Sequence, residues 1–254
     1  MIPELSILIP FACVVIVGVY FNTVTGFGLA MIIMALANGM GLASVADLAT
    51  IICLVQLVNS AVALKGNMYH LDWRIARVVI LGVLPSSILG VLLLDYLSAA
   101  AADVVQMLLG VVVIYGGMNF AWRPTPLKQL SRPASFFSFG ILGGVIGGMF
   151  GIPGPPLIFQ FYRQPMSLPQ IRSYLILLFA VMSGTRTLFV GWQGQLSSGV
   201  LIMSALFIPV AAIATMAGRR YPPPFSQETM RRIAFVMLVL MGIGLIIPAA
   251  LNIV

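Results

Sequence analysis

Two glycine-rich breaks inside long apolar stretches are the features of this sequence with the clearest chemical potential. The first runs from Asn22 to Gly28 (NTVTGFG) and the second from Gly147 to Pro156 (GGMFGIPGPP). A helix that breaks and restarts leaves unpaired backbone N–H groups at the start of its second part, and these groups attract anions. The breaks therefore predict two anion-binding tips, and a packing kink without a ligand is the alternative.

Backbone amides and threonine hydroxyls are the predicted donors of the first break. They are the N–H groups of Gly26, Phe27 and Gly28 and the side chains of Thr23 and Thr25. At membrane depth, non-helical backbone is tolerated only against protein or a water-filled cavity. We therefore expect a cavity at this break.

The second break has a different donor set, because Pro155 and Pro156 carry no N–H. The predicted donors are consequently the amides of Gly151, Ile152 and Gly154. Proline suits the first helical turn, so this pair marks the start of the second half-helix.

Four polar side chains inside the apolar stretches are further candidates for a substrate site. Gln56 and Asn59 are three residues apart on one helix face, where they either contact a ligand or join neighbouring helices. Gln160 follows the second break and is expected to face the same cavity. Arg186 lies near the predicted outer end of its stretch, where it either attracts an anion or extends to the interface.

The groups needed for catalysis are missing from the apolar stretches. The single histidine, His70, lies in a basic loop, and Cys13 and Cys53 are isolated in apolar runs, so we predict no metal site and no cofactor. The carboxylates all lie at or beyond stretch ends, and they are Glu4, Asp47, Asp72, Asp95, Asp103 and Glu228. Because no buried acid or base is present, the chain is predicted not to be an enzyme.

The elements that hold the candidate residues must be membrane helices, since this composition cannot cover a water-facing surface. Of the 254 residues, 61% are hydrophobic and 7% are charged, and the mean hydropathy is +1.10. Soluble domains carry roughly 25% charged residues. The net charge of +7 is dispersed between apolar runs, which indicates loops at a membrane surface and argues against nucleic-acid binding.

Eight apolar stretches approach or exceed the length of about 20 residues needed to cross a bilayer. They are Leu5–Ala37, Val45–Leu64, Ile75–Leu94, Ala101–Trp122, Ala134–Phe161, Ser173–Val190, Val200–Ala217 and Ile233–Leu251. The polar linker 123–132 separates a first transmembrane repeat, residues 1–122, from a second, residues 133–254, and each repeat opens with a glycine-broken stretch. This pattern predicts an internal duplication of the kind found in secondary transporters.

The basic loops predict how the chain is oriented, because loops rich in Lys and Arg face the cytoplasm. These loops are Lys65–Arg77, Arg123–Arg132, Arg163–Arg172 and Arg219–Arg232. Eight single crossings would place the last of them outside. If both broken stretches are hairpins, all four face the cytoplasm and both termini lie outside. The predicted fold class is therefore an all-α polytopic membrane protein with two inverted repeats. Each repeat is a glycine-broken hairpin plus three spanning helices, giving ten segments, with the hairpin tips near the bilayer middle.

The break at Gly147–Pro156, the motif Gly26–Gly28 and the four-plus-four layout together resemble the TauE/SafE family of sulfite and organosulfonate exporters. Leu29 and Ala30 stand where that family often carries further glycines. The resemblance implies a multi-pass protein of the bacterial inner membrane that exports small sulfur-containing anions.

The expected partners are a small anionic substrate and the lipid bilayer, without nucleic acid, and a homodimer is left open. No ionisable relay lies at depth, so export is expected to be driven at least partly by the membrane potential. That potential contributes about 2.3 kcal/mol per charge per 100 mV. Ion-coupled import of a small inorganic or organic anion is the alternative.

Overall fold

The computed structural model describes residues 5–30, 32–33, 45–96, 104, 107, 110, 111, 114, 118, 126–150, 154–194 and 196–253. The helices in these ranges are α1 (Leu5–Thr25), α2 (Val45–Leu64), α3 (Trp73–Tyr96), α4 (Pro133–Phe150), α5 (Pro155–Tyr162), α6 (Leu168–Trp192), α7 (Ser198–Arg220) and α8 (Gln227–Ile253), with a 3-10 turn at Met68–His70. The predicted stretch Ala101–Trp122 lies largely outside the described residues. The all-α fold class is confirmed.

Several of these helices have the length and composition of membrane spans. Within the described ranges, the segments long and apolar enough to cross a bilayer are Leu8–Thr25, Trp73–Gly90, Leu168–Trp192 and Ser198–Arg220. Their outer surfaces carry exposed apolar side chains, such as Leu81 at 65% and Leu188 at 76% exposure. Such surfaces suit lipid, and the chain is a multi-pass membrane protein.

The described helices form two compact units. Unit 1 contains residues Met1–Asp72 and Arg172–Pro223, and unit 2 contains residues Trp73–Ile171 and Pro224–Val254. Each unit therefore takes helices from both predicted repeats. The division at 123–132 concerns a duplication of sequence, and it stays a prediction.

In unit 1, α1, α2 and α7 surround a shared apolar core and end at the same place. The hydroxyl of Tyr20, near the end of α1, donates to the carbonyl of Tyr221 after α7, at 2.8 Å. Arg219 of α7 donates to the carbonyl of Lys65, just after α2, at 2.9 Å. The three helices consequently run in the same direction, and two basic loops lie side by side.

These directions favour a hairpin at the first break, because consecutive single crossings would alternate in direction. With 21 residues at about 1.5 Å each, α1 alone is long enough to cross a hydrocarbon core of about 30 Å. A Cβ on Gly26 would lie 2.9 Å from the Cα of Arg172 at the start of α6. This tip therefore lies at the end of unit 1 that carries the basic loops, and its depth in the bilayer stays a prediction.

In unit 2, a ladder of glycines joins α4 to α3. A Cβ on Gly140 would lie 2.8 Å from the carbonyl oxygen of Val79, and one on Gly148 would clash with the carbonyl of Ser87, with Gly144 packed between them. The contacts advance along both helices together, so α3 and α4 are parallel. These three glycines, four residues apart, let the two helix backbones approach closely, as small residues do between membrane helices.

The second break joins α4 and α5 into a hairpin whose two ends meet. The Ser135 hydroxyl, in the first turn of α4, lies 3.2 Å from Gln160 near the end of α5 and 3.2 Å from Arg163 just beyond it. The amide of Leu127 donates to the carbonyl of Arg163 at 2.8 Å. The two basic segments 123–132 and 163–172 thus lie together, as a single cytoplasmic face requires. The inverted relation of the two repeats stays a prediction.

Candidate functional site

The first break is made by two glycines with positive φ. Helix α1 ends at Thr25 because Gly26 and Gly28 have φ of +91° and +101°, a region that L side chains rarely adopt. The Thr25 hydroxyl lies 2.8 Å from the carbonyl of Phe21 and 2.9 Å from that of Phe27, and it accepts the Phe27 amide at 3.3 Å. The predicted interruption is confirmed, and Thr25 stabilises its turn.

Two of the three predicted backbone donors of this break bond within it. The Gly26 amide donates to the carbonyl of Asn22 at 2.7 Å, and the Phe27 amide donates to Thr25. In the described part of the chain, the Gly28 amide has no acceptor. Gly28 is therefore the backbone donor of this break that is left for a ligand, and its substrate role stays a prediction.

Buried amides and hydroxyls link α1, α2 and α7. The Asn59 amide nitrogen donates to the hydroxyls of Thr23 and Thr215 at 2.7 and 2.9 Å, and its oxygen accepts from Asn22 at 2.6 Å. Each threonine hydroxyl in turn donates to a carbonyl one turn earlier in its own helix. These bonds correspond to the helix-joining alternative for Asn59. The Asn22 side-chain oxygen remains, buried and without a donor.

Gln56 makes a similar connection between α2 and α6. Its amide nitrogen donates to the Ser60 hydroxyl at 3.0 Å, and that hydroxyl donates to the carbonyl of Ile176 at 3.2 Å. Both side chains are buried. Gln56 thereby stabilises the contact between these helices, and its ligand role stays a prediction.

Arg186 lies on α6 where this helix faces α2. A Cβ on Gly184, two residues before Arg186, would lie 3.8 Å from the side chain of Leu57 on α2. The Arg186 Nε is buried without an acceptor, and no described residue accepts a hydrogen bond from this side chain. The adjacent Thr187 hydroxyl is also buried and unpartnered. The Nη groups of Arg186 are not among these buried atoms, so extension to the interface stays an alternative. The buried, unused Nε is the observation in favour of an anion.

The second break begins a new helix as the prolines predict. Gly154, with φ of +122°, precedes α5, and Pro155 and Pro156 occupy its first positions. The predicted donors Gly151 and Ile152 lie outside the described residues. The Gly154 carbonyl accepts a hydrogen bond from the amide of Ile158 at 2.7 Å, which closes the first turn of α5.

Gln160 is completely buried at the far end of α5. Its amide nitrogen donates to Ser135, and its oxygen has no donor. Gln160 therefore lies beside the start of α4 with one polar atom unsatisfied.

Sequence reasoning missed the role of Arg231, which it treated as a topology signal. Arg231 is 1% exposed and donates to the carbonyls of Tyr162, Gln164 at 3.1 Å and Met166 at 2.7 Å. It therefore holds the end of α5 and the following loop. No local pattern distinguishes a buried arginine from an exposed one in a basic loop, so the sequence contains no signal for this role.

A metal centre is not assembled within the described ranges. No group of three or more His, Cys, Asp or Glu side chains lies close enough there to hold an ion. The charged and polar side chains of the candidate site are arginines, amides and hydroxyls.

Comparison with known proteins places these features in context. The sequence model of a family described as "Sulfite exporter TauE/SafE" matches residues 10–245. A protein of Cupriavidus necator, described as a probable sulfite/organosulfonate exporter TauE, is 53% identical over 232 residues, which are 91% of either chain. No solved structure matches the chain.

Proposed function

The chain belongs to the TauE/SafE family of sulfite exporters, and from this membership we infer that it is a membrane transporter that exports sulfite and organosulfonates. The match extends over most of the chain, including both breaks, and the similar protein covers nine-tenths of it. The family and that protein are both named as exporters, which supports transport without chemical conversion of the substrate.

The buried Arg186 Nε without an acceptor is the observation in the described structure that best supports an anionic substrate. A buried donor without an acceptor costs about 1–3 kcal/mol, more when the group is charged. A guanidinium also matches the oxygen geometry of sulfite and sulfonates through paired N–H groups. We therefore assign substrate attraction to Arg186, with the Gly28 amide and the second break as further candidates.

The proposed location is the bacterial inner membrane, and the proposed driving force is the membrane potential. With the cell interior negative, export of one negative charge gains about 2.3 kcal/mol per 100 mV, and a dianion gains about twice that. No coupled proton relay is then needed.

Sulfite flux into inverted membrane vesicles tests this function, since their outer surface is the cytoplasmic one. Vesicles with the protein should accumulate sulfite faster than vesicles without it. An inside-positive potential, set with a potassium gradient and valinomycin, should raise the initial rate, and a sodium gradient should not. Absence of protein-dependent flux would overturn the function, and flux that ignores the potential would overturn the driving force alone.

Cation-coupled import is the second candidate. The observation that favours it is the Asn22 side-chain oxygen, which is buried beside the first break and has no donor. Such an oxygen suits a cation or a protonated group. Flux that requires a sodium or proton gradient in the same vesicles would select this alternative.

A further inference from the structure

A polar cluster at the junction of α4 and α5 in unit 2 contains Gln160, one of the predicted substrate-site residues, and does not include Arg186. It consists of Ser135, Gln160 and Arg163. The Ser135 hydroxyl lies 3.2 Å from the Gln160 amide nitrogen and 3.2 Å from the Arg163 Nη2. Both nitrogens therefore converge on one oxygen.

Two polar atoms of this cluster are buried and unsatisfied. They are the Gln160 Oε1 and the Arg163 Nε, which have no hydrogen-bond partner among the described residues. Gln160 is 0% exposed. Buried polar groups in native proteins are nearly always paired with protein, water or an ion. Neither atom has accessible surface in this conformation, so a ligand reaches them when the partly exposed Arg163 side chain shifts.

The hydrogen-bond network indicates that such a ligand is an acceptor. The oxygen and nitrogen of a glutamine amide are assigned from their surroundings. With the Gln160 amide turned over, its oxygen accepts the Ser135 proton, which otherwise has no acceptor in the described part of the chain. The atoms then left unpaired are the Gln160 Nε2 and the Arg163 Nε, and both are donors.

The charge of the cluster is also uncompensated. The Arg163 guanidinium lies over the rings of Phe139 and Phe159, at 4.9 and 5.2 Å from their centroids, and it forms no ion pair with a described carboxylate. Burial lowers the pKa of Arg163 from its ordinary value through lost hydration. An anion between the two donors would offset that loss.

The surrounding backbone holds the cluster in place. The Leu127 amide donates to the Arg163 carbonyl at 2.8 Å. Gln164, fully buried, bonds the backbone amide and the hydroxyl of Ser131, each at 3.0 Å. Arg231 fixes the carbonyls that follow α5. The backbone around Gln160 and Arg163 is therefore fixed before any ligand arrives, which lowers the ordering cost of binding.

We propose that Ser135, Gln160 and Arg163 form a second anion site, which binds a small oxyanion such as sulfite or the head group of a sulfonate at the basic end of unit 2. The identity of the anion rests on the proposed function. Because this end carries the loops predicted to be cytoplasmic, the site receives the anion before export. It shares no residue with the site at Arg186.

Initial rates of sulfite uptake into inverted vesicles test this site. Arg163→Lys retains the charge but removes the Nε–H, and it should raise KM about tenfold, the effect of one hydrogen bond to a charged group. Gln160→Glu should raise KM further, because a carboxylate repels the anion and pairs with Arg163. Maximal rates should stay within about twofold of the wild type, since the site acts before the transport step. Arg132→Gln removes an exposed charge from the adjoining linker, and this matched control should leave KM unchanged.

The results that overturn the site differ from those that overturn the function. Wild-type KM in both variants, at normal protein level, would mean that water alone satisfies these atoms. If Gln160→Glu does not reach the membrane, Ser135→Ala and Arg163→Lys decide the question through KM. If the wild type carries no sulfite, the proposed function fails, and the thermal shift of the purified protein with sulfite or sulfate then tests the site. A shift that the variants retain, or no shift in the wild type, overturns it.

Discussion

Replacement of Arg186 by glutamine should separate substrate binding from protein stability. In the described part of the chain this guanidinium has no acceptor, so the substitution breaks no internal hydrogen bond. A hydrogen bond from a charged donor to the anion contributes about 1.5–3 kcal/mol, which corresponds to about 10- to 150-fold in affinity. We therefore expect KM for sulfite to rise by about that factor.

The same substitution should not lower stability. Arg186→Gln breaks no internal hydrogen bond and removes a buried donor without an acceptor, so the free energy of unfolding and Tm should stay at or above the wild-type values. Arg186→Lys should give an intermediate KM, because it keeps the charge but loses the planar pair of donors.

Arg219 provides a matched control in unit 1. Its guanidinium donates to the carbonyls of Val62 at 2.6 Å and Lys65 at 2.9 Å. Arg219→Gln should therefore lower Tm while leaving KM close to the wild-type value, the opposite pattern to Arg186→Gln.

The assay combines sulfite uptake into inverted vesicles with the Tm of the purified protein. An Arg186→Gln protein that keeps the wild-type KM would refute the assignment. A KM that rises only as Tm and protein level fall would equally show that Arg186 is a structural anchor.

Four further predictions concern the break, the buried polar groups and the topology. Gly28→Val should abolish sulfite uptake with normal membrane insertion, because the φ of +101° at Gly28 and the nearby ring of Phe21 exclude a side chain. The control Gly66→Ala, at a position with positive φ but open space, should retain uptake. Uptake by Gly28→Val would remove this break from the site. Asn59→Leu should lower the free energy of unfolding by about 1–3 kcal/mol through unpaired groups on α1 and α7, and an unchanged Tm would contradict the network. Arg231→Met should lower Tm more than any exposed arginine substitution, because buried carbonyls lose their donor; equal effects would contradict its buried role. Cysteine labelling should find loop 219–232 inside the cell and both termini outside, and cytoplasmic termini would refute the hairpins.

The sequence was informative wherever the controlling physics is local. The interruption at Gly26 and Gly28 follows from backbone conformations that favour glycine, and the start of α5 follows from the fixed φ of Pro155 and Pro156. The membrane class follows from composition, because too few charged residues are present to cover a wetted surface. Each of these conclusions needs only residue type and short spacing.

The partners of the buried polar groups were decided by tertiary structure. Asn59 bonds to Thr215, 156 positions away in sequence, and Arg231 bonds to carbonyls more than 60 positions before it. The two compact units likewise mix helices from both halves of the chain. Apolar helices in lipid offer many near-equivalent faces to one another, and close approach and polar contacts select among them. The sequence therefore identified Asn59 and Arg186 as unusual polar residues in apolar helices. Only the packing of the helices showed that the donors of Asn59 are used within the protein, whereas the Arg186 Nε is buried and unused.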